Sequence, residues 1–318
     1  MKKLKVVTVV GTRPEIIRLS SIINRLNKSK SIDHYLVHTG QNYDKNLKDV
    51  FFKDLEITEP DYYLDSAQNS PVSTIGDILI KIDKLLDDLS PDAFVMENVP
   101  ALGSSKFADY LDGELKKFVG GKYFYKKFFM YAPNYGVPQQ RNRLFVVGFK
   151  SAANYERFVV PLPTHNIERF VEIHKGTKKY ITAAKKLVDY QNLPLTPGVR
   201  EALGFDQSLP DGLAPTFRSG FTGPRNSTSI LNGASSQKVL ANMGIWGNGI
   251  ASSREAALAF PPENGTSRLS VQDIALIQGF PTDWFVTGHV YKVIGQVGNS
   301  VAPPVAYQVA MAVRKALS

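Results

Sequence analysis

The chain has 318 residues, 43% of them apolar and 21% charged, which excludes a disordered or collagen-like polymer and leaves room for more than one α/β domain. It contains no cysteine, so disulfide scaffolds, thiolate zinc sites and cysteine nucleophiles are excluded together. The net charge of +9 is uneven: residues 1–94 hold 13 Lys/Arg against 14 Asp/Glu, and residues 95–318 hold 25 against 15. A basic second part favours a polyanionic partner there.

In chain order, the apolar run Val6–Val10 is too short for an export segment, and Lys5–Val10 reads as a buried strand ended by Gly11. Pro14 then suits the first position of a helix whose apolar stripe continues through Ile16, Ile23 and Leu26. Short strands are expected at Tyr35–His38 and Tyr62–Leu64. A helix follows over Ile75–Leu89, then a buried strand at Ala93–Met96. Strand–helix alternation predicts an α/β fold with a Rossmann-like, doubly wound and mostly parallel sheet. Leu144–Val147 reads as another buried strand. From about Gly204 to Gly265 the texture is rich in Gly, Ser, Asn and Pro, which predicts a loop-rich subdomain. Ser270 with Asp273 three residues on starts a helix, Gly279 lies past its end, and a last helix is expected from Pro303 to Leu317. No stretch has the length of a membrane helix, which points to a cytoplasmic protein. The five histidines show no metal-binding spacing, so no metal is expected.

The string Gly11-Thr12-Arg13-Pro14-Glu15, with His38-Thr39-Gly40-Gln41 and Pro60-Asp61-Tyr62-Tyr63-Leu64-Asp65, resembles the start of non-hydrolysing UDP-N-acetylglucosamine 2-epimerases over residues 1–94. That resemblance implies UDP-sugar binding, with Gly11 and Arg13 near the nucleotide phosphate. A glycine turn feeding a helix N-terminus suits an anion, and an ordinary strand-to-helix turn has the same look. Where the family continues with a Gly-Asp-Thr string, this chain reads Val95-Met96-Glu97-Asn98.

From Glu97-Asn98-Val99-Pro100 onward the chain resembles DNA (cytosine-5) methyltransferases. The likeness continues through Tyr135-Gly136-Val137-Pro138-Gln139-Gln140-Arg141-Asn142-Arg143, through Arg268-Leu269-Ser270 to Gln278-Gly279-Phe280-Pro281, and through Gly295-Gln296-Val297-Gly298-Asn299-Ser300. The resemblance implies double-stranded DNA as partner and S-adenosylmethionine as cofactor. It makes Glu97 the acid beside the cytosine ring and Arg143 the holder of the base carbonyl. Arg141 would support Arg143 or reach a phosphate, and Asn299 and Ser300 would contact the cofactor. It places a target-recognition subdomain at 185–266, between a sheet part at 95–184 and a returning segment at 267–318, with Arg218 and Arg225 on DNA. Read as bare residues, Glu97 is equally a loop-end carboxylate and the arginines surface ion pairs. Asn299 and Ser300 also suit caps of the last helix, and the Arg218–Arg225 stretch suits a flexible glycine loop.

The family's reaction adds a cysteine thiolate to carbon 6 of a flipped cytosine. This chain has no thiol to offer. The resemblance therefore implies a methyltransferase-like chain that binds DNA without catalysis, with UDP-sugar binding or epimerisation as the alternative. Joined in one chain, the two resemblances read as a chimera.

Overall fold

The computed structural model describes residues 3–11, 16, 23–40, 52, 57–217, 230–231, 233–262, 265–284 and 289–318. They form two compact units, one of Met1–Phe94 with Leu115–Tyr123 and Phe149–Ser151, the other of Val95–Glu114, Phe124–Gly148 and Ala152–Ser318. The class is α/β, as strand–helix alternation requires.

In the first unit, β1 (Leu4–Val10) pairs in parallel with β2 (Ile32–His38), from Leu4 opposite Ile32 to Val10 opposite His38. Parallel neighbours need a crossover, and residues 23–27 between them are helical. β3 (Tyr62–Tyr63) adds in parallel at the end of β2, opposite Val37 and His38. Val10, Ile16, Ile23, Leu36, Phe52 and Ile57 meet in one buried cluster. Asp61 Oδ2 accepts the Leu36 amide at 2.7 Å, so the acid holds the approach to β3 against β2. The second strand is longer than the expected Tyr35–His38, because Ile32 and Asp33 follow the register already set by β1. α1 (Pro71–Leu89) starts before the expected Ile75, and Ser70 Oγ accepts the Ser73 amide at 3.1 Å near its first turn.

β4 (Ala93–Asn98) carries the chain from the first unit into the second. α2 (Ala108–Val119) and β5 (Phe124–Tyr131), neither expected from sequence, come before β6 (Asn142–Phe149), and the strand order is β4-β6-β5. The connection from β5 to β6, residues 132–141, is shorter than the roughly twelve residues of a parallel crossover, so these neighbours run antiparallel. Ala132 N–H closes the base of the turn on the Arg141 carbonyl at 2.8 Å. Inside the turn Gly136 has φ +82°, and a Cβ there would lie 2.8 Å from His165 Nε2. Glycine is therefore required twice over, by conformation and by space.

α3 (Ala152–Arg157) and α4 (Lys178–Ala184) follow, and the Tyr180 ring stacks on Tyr131 with centroids 3.8 Å apart. The stretch expected to be loops is more regular than that. After α5 (Val199–Leu203) it contains α6 (Ala234–Asn242), β7 (Ile245–Ala251) and α7 (Arg254–Ala259), and β7 pairs in parallel with β8 (Ser267–Ser270). Two of the glycines that suggested loops, Gly247 and Gly249, sit inside β7, where Gly247 lets Leu231 and Leu240 approach closely. Ser270 and Asp273 form the expected capping box at the start of α8 (Val271–Ile277), and Gly279 past its end has φ +86°. α9 (Val290–Asn299) and α10 (Pro303–Leu317) complete the chain. One core runs from Val199 through Leu240 and Ile274 to Val297, so the segment set apart as 185–266 shares its interior with α8 and α9. No helix among the described residues is long and apolar enough to cross a membrane.

Gly136→Ala should destabilise the second unit by about 2 kcal/mol, from a strained left-handed residue and the contact with His165. In a thermal melt that is a midpoint lower by roughly 4–8 °C.

Candidate functional site

The sheet order makes β4 and β6 neighbours, and this alone brings Glu97, near the end of β4, to Arg143, the second residue of β6. Arg143 Nε stands 2.8 Å from Glu97 Oε1, with the arginine side chain 9% exposed and the glutamate 26%. The two are an ion pair, but the N–H is not aimed at the oxygen, and Oε1 has no aligned donor among the described residues. Arg143 also donates from Nη1 to the Asn142 carbonyl at 2.8 Å, which fixes its plane. Burial lifts the Glu97 carboxyl above its usual range, while the Arg143 and Arg141 cations pull it back without cancelling the rise. The result is an acid that keeps its proton to higher pH than a surface glutamate. It sits beside a fixed guanidinium.

Arg141 turns the other way. It is 1% exposed, and its Nη2 donates to the carbonyls of Gly298, at 2.8 Å, and Ser300, at 2.5 Å. Burial and the Arg143 charge weaken its hold on the proton, and Glu97 restores part of it; a guanidinium stays charged in any case. The phosphate contact expected of Arg141 is not available to a side chain so enclosed. It straps the β5–β6 turn to the segment after α9. Gln278, just past α8, donates from Nε2 to the same Ser300 carbonyl at 2.9 Å and to the Val297 carbonyl at 2.7 Å. Arg141 Nε and Nη1 and Gln278 Oε1 have no protein partner among the described residues, the situation in which buried waters are held. Sequence reasoning quoted Gln278 within a motif but assigned it nothing, since an amide between apolar residues carries no signal of its partner.

Asn299 and Ser300 do not cap the last helix, whose N-cap is Ala302; both turn back onto the end of α9. Asn299 Nδ2 donates to the Gly295 carbonyl at 2.9 Å, and Ser300 Oγ donates to Val297 at 2.7 Å while accepting from Gln278 at 3.0 Å. Bonds turned onto their own helix are a poor fit to the S-adenosylmethionine contacts expected of this pair. Gly11 is buried directly after β1. Arg13, Arg218 and Arg225 lie outside the described residues. No group of three His, Asp or Glu that could hold a metal occurs among the described residues.

The sequence profile described as C-5 cytosine-specific DNA methylase matches residues 66–315, and that of UDP-N-acetylglucosamine 2-epimerase matches residues 24–97. A UDP-N-acetylglucosamine 2-epimerase of Methanocaldococcus jannaschii is 38% identical over 94 residues, which are 30% of this chain and 25% of that enzyme. The type II methyltransferase M.NaeI of Lentzea aerocolonigenes is 26% identical over 242 residues, 74% of this chain and 52% of the relative. Among solved structures, the Dnmt2 methyltransferase of S. pombe is 13% identical with a TM-score of 0.49, covering 99% of this chain and 100% of that one. The chain thus spans a quarter of this epimerase relative and about half of this methyltransferase.

Replacing Arg143 by alanine removes the nearest cation from the acid, so the titration midpoint of Glu97 should rise further. Carboxyl-carbon NMR of the variant reads this directly, and an unchanged midpoint would mean that the ion pair contributes nothing to the acid's charge state.

Proposed function

Because the chain belongs to the C-5 cytosine-specific DNA methylase family, we propose that its second part holds a cytosine of double-stranded DNA and that these 318 residues transfer no methyl group by themselves. The observation that carries this reading is the Glu97–Arg143 pair in a chain without a thiol. A protonated carboxyl can donate to ring nitrogen 3 of cytosine, and a guanidinium can donate to the neighbouring carbonyl oxygen. Burial raises the Glu97 pKa, which favours the protonated form that this contact needs. Carbon 5 of the ring is a weak nucleophile until another group adds to carbon 6. A serine hydroxyl is poorly suited to that addition near neutral pH without a base to activate it. The basic surplus of residues 95–318 supplies the phosphate attraction.

Affinity for a cytosine-containing duplex should fall with a negative log–log slope in salt. It should also tighten as pH falls through the raised pKa of Glu97, because only the neutral acid donates. In Glu97→Gln, which donates at every pH, the pH dependence should vanish and the salt slope remain. Fluorescence anisotropy at several pH values tests both, and tritiated-methyl incorporation above background by this chain would overturn the claim of inactivity.

The epimerase-like first part supports a second reading, nucleotide binding in the first unit, on the strength of the 38% identity over 94 residues. Covering a quarter of that enzyme, it is proposed to bind UDP and not to epimerise a sugar. UDP at 100 times its dissociation constant should then stabilise the fold by about 2.7 kcal/mol. An unmoved melting midpoint at millimolar UDP ends this reading.

A further inference from the structure

His174 is 8% exposed and lies between α3 and α4, with no role assigned above. Its backbone is fixed on both sides. The amide donates to the Phe170 carbonyl at 2.8 Å, and the carbonyl accepts from Thr177 Oγ1 at 2.7 Å. The ring joins two segments distant in sequence: Leu213 N–H donates to Nε2 at 2.9 Å, and the Gln140 side-chain amide meets Nδ1 at 3.2 Å. The same segments are paired by backbone, Gln140 N–H to the Ala214 carbonyl at 2.8 Å and Ala214 N–H to the Pro138 carbonyl at 2.9 Å.

A neutral imidazole has one donor and one acceptor nitrogen. A backbone amide cannot be reversed, so Nε2 is the acceptor and Nδ1 carries the proton. The Gln140 amide can turn so that its oxygen receives Nδ1–H, giving up only a 3.5 Å contact with the Leu213 carbonyl. A second proton has no place, because it would set Nε2–H against Leu213 N–H. The ring is closely seated, since even a Cβ on Gly212 would lie 3.0 Å from Nε2. The surrounding charges are engaged elsewhere or exposed. Asp211 accepts from the amides of Arg200, Glu201 and Gly212, and Arg141 is turned onto Gly298 and Ser300. Glu172, Lys175, Lys178 and Lys179 are exposed. Burial alone therefore acts on the ring, and it lowers the hold on a second proton.

We propose that His174 is a positioning residue for the Glu97–Arg143 pair: its neutral ring clamps residues 212–216 to the β5–β6 turn, and a proton on Nε2 opens the clamp. The turn ends at Arg141 and leads directly into β6, whose second residue is Arg143. Holding Gln140 thus holds the start of β6 opposite Glu97. The folded ring takes a proton less readily than at its ordinary value of 6.5. The stability that the clamp contributes is therefore complete above pH 6.5 and is lost as pH falls through the lowered value. The clamp needs no DNA, and only its use in holding a base rests on the function proposed above.

Nitrogen NMR of the full-length protein well above pH 6.5 should find His174 as the Nδ1–H tautomer, and the Nε2–H tautomer overturns the clamp. Amide exchange should show the protection of Leu213 falling about ten-fold as His174 takes up its proton. His174→Gln, whose amide oxygen accepts at every pH, should hold that protection constant. Protection of Leu213 that ignores the His174 titration also overturns the clamp. For the positioning role, the Arg143 Nε signal should step at the His174 midpoint in the wild type and lack that step in His174→Gln. His174→Phe fills the space but accepts no hydrogen bond. Glu97 should titrate at a higher midpoint in that variant, as in Arg143→Ala, and at the wild-type midpoint in His174→Gln. An Arg143 signal without the step, or an unmoved Glu97 midpoint in a Phe variant that melts cooperatively, overturns the positioning role. The exchange and Arg143 measurements on the wild type decide the matter if the Phe variant does not fold. If they succeed while the Glu97→Gln test with DNA fails, the clamp stands and the cytosine reading falls.

Discussion

A guanidinium removed from water sets the geometry of the second unit. Burying such a charge costs several kcal/mol unless its donors find acceptors; Arg141 Nη2 finds two, the carbonyls of Gly298 and Ser300 at the far end of the sequence, while Nε and Nη1 have no protein partner among the described residues. The bond can form only if the β5–β6 turn and the segment between α9 and α10 lie side by side. Gln278 then reaches the same Ser300 carbonyl from the end of α8, so three stretches distant in sequence converge on one oxygen. Gly279 shares this convergence, since a Cβ there would press on Val137 and Pro304 at about 3 Å.

That knot orients the pair of arginines. Along an extended strand, residues two apart point to the same face, yet Arg141 precedes β6 and Arg143 lies within it. The turn lets one guanidinium enter the interior while the other meets Glu97. Two cations near one acid should leave it fully ionised. Burial reverses that expectation and pushes the carboxyl upward against both. An acid that resists ionisation beside a fixed donor is the arrangement a neutral, hydrogen-bonding ring requires, and it is complete within the second unit without a nucleophile.

The two family matches overlap over residues 66–97, a stretch that holds α1 and runs into β4. The apolar run Ala93-Phe94-Val95-Met96 predicts a buried strand, but β4 has no fully buried residue and Val95 is 49% exposed. Each unit has its own buried residues, Val10 to Ile57 in the first and Val199 to Val297 in the second. The absence of cysteine leaves the retained motifs without a thiol.

The α/β class, the parallel β1–β2 pair, α1, the Ser270–Asp273 capping box and α10 were legible in the sequence. Each rests on local periodicity or on partners three or four residues apart, which a sequence displays directly. The identity of Glu97, Arg141 and Arg143 as a group was also legible, through the motifs that contain them. What each of them touches was not. Arg141 and Arg143 are the same residue type two positions apart, and only the closing of the β5–β6 turn against Gly298 and Ser300 decides that one is enclosed and the other faces the acid. The glycines of Ile245–Ala251 looked like loop because a sequence does not show that Leu231 and Leu240 press against Gly247 and make a small residue necessary there. Composition by itself determined that this chain has no thiol, and no tertiary arrangement can alter that. The fold decided the direction in which the Glu97 pKa moves, because desolvation depends on neighbours that only three-dimensional packing supplies.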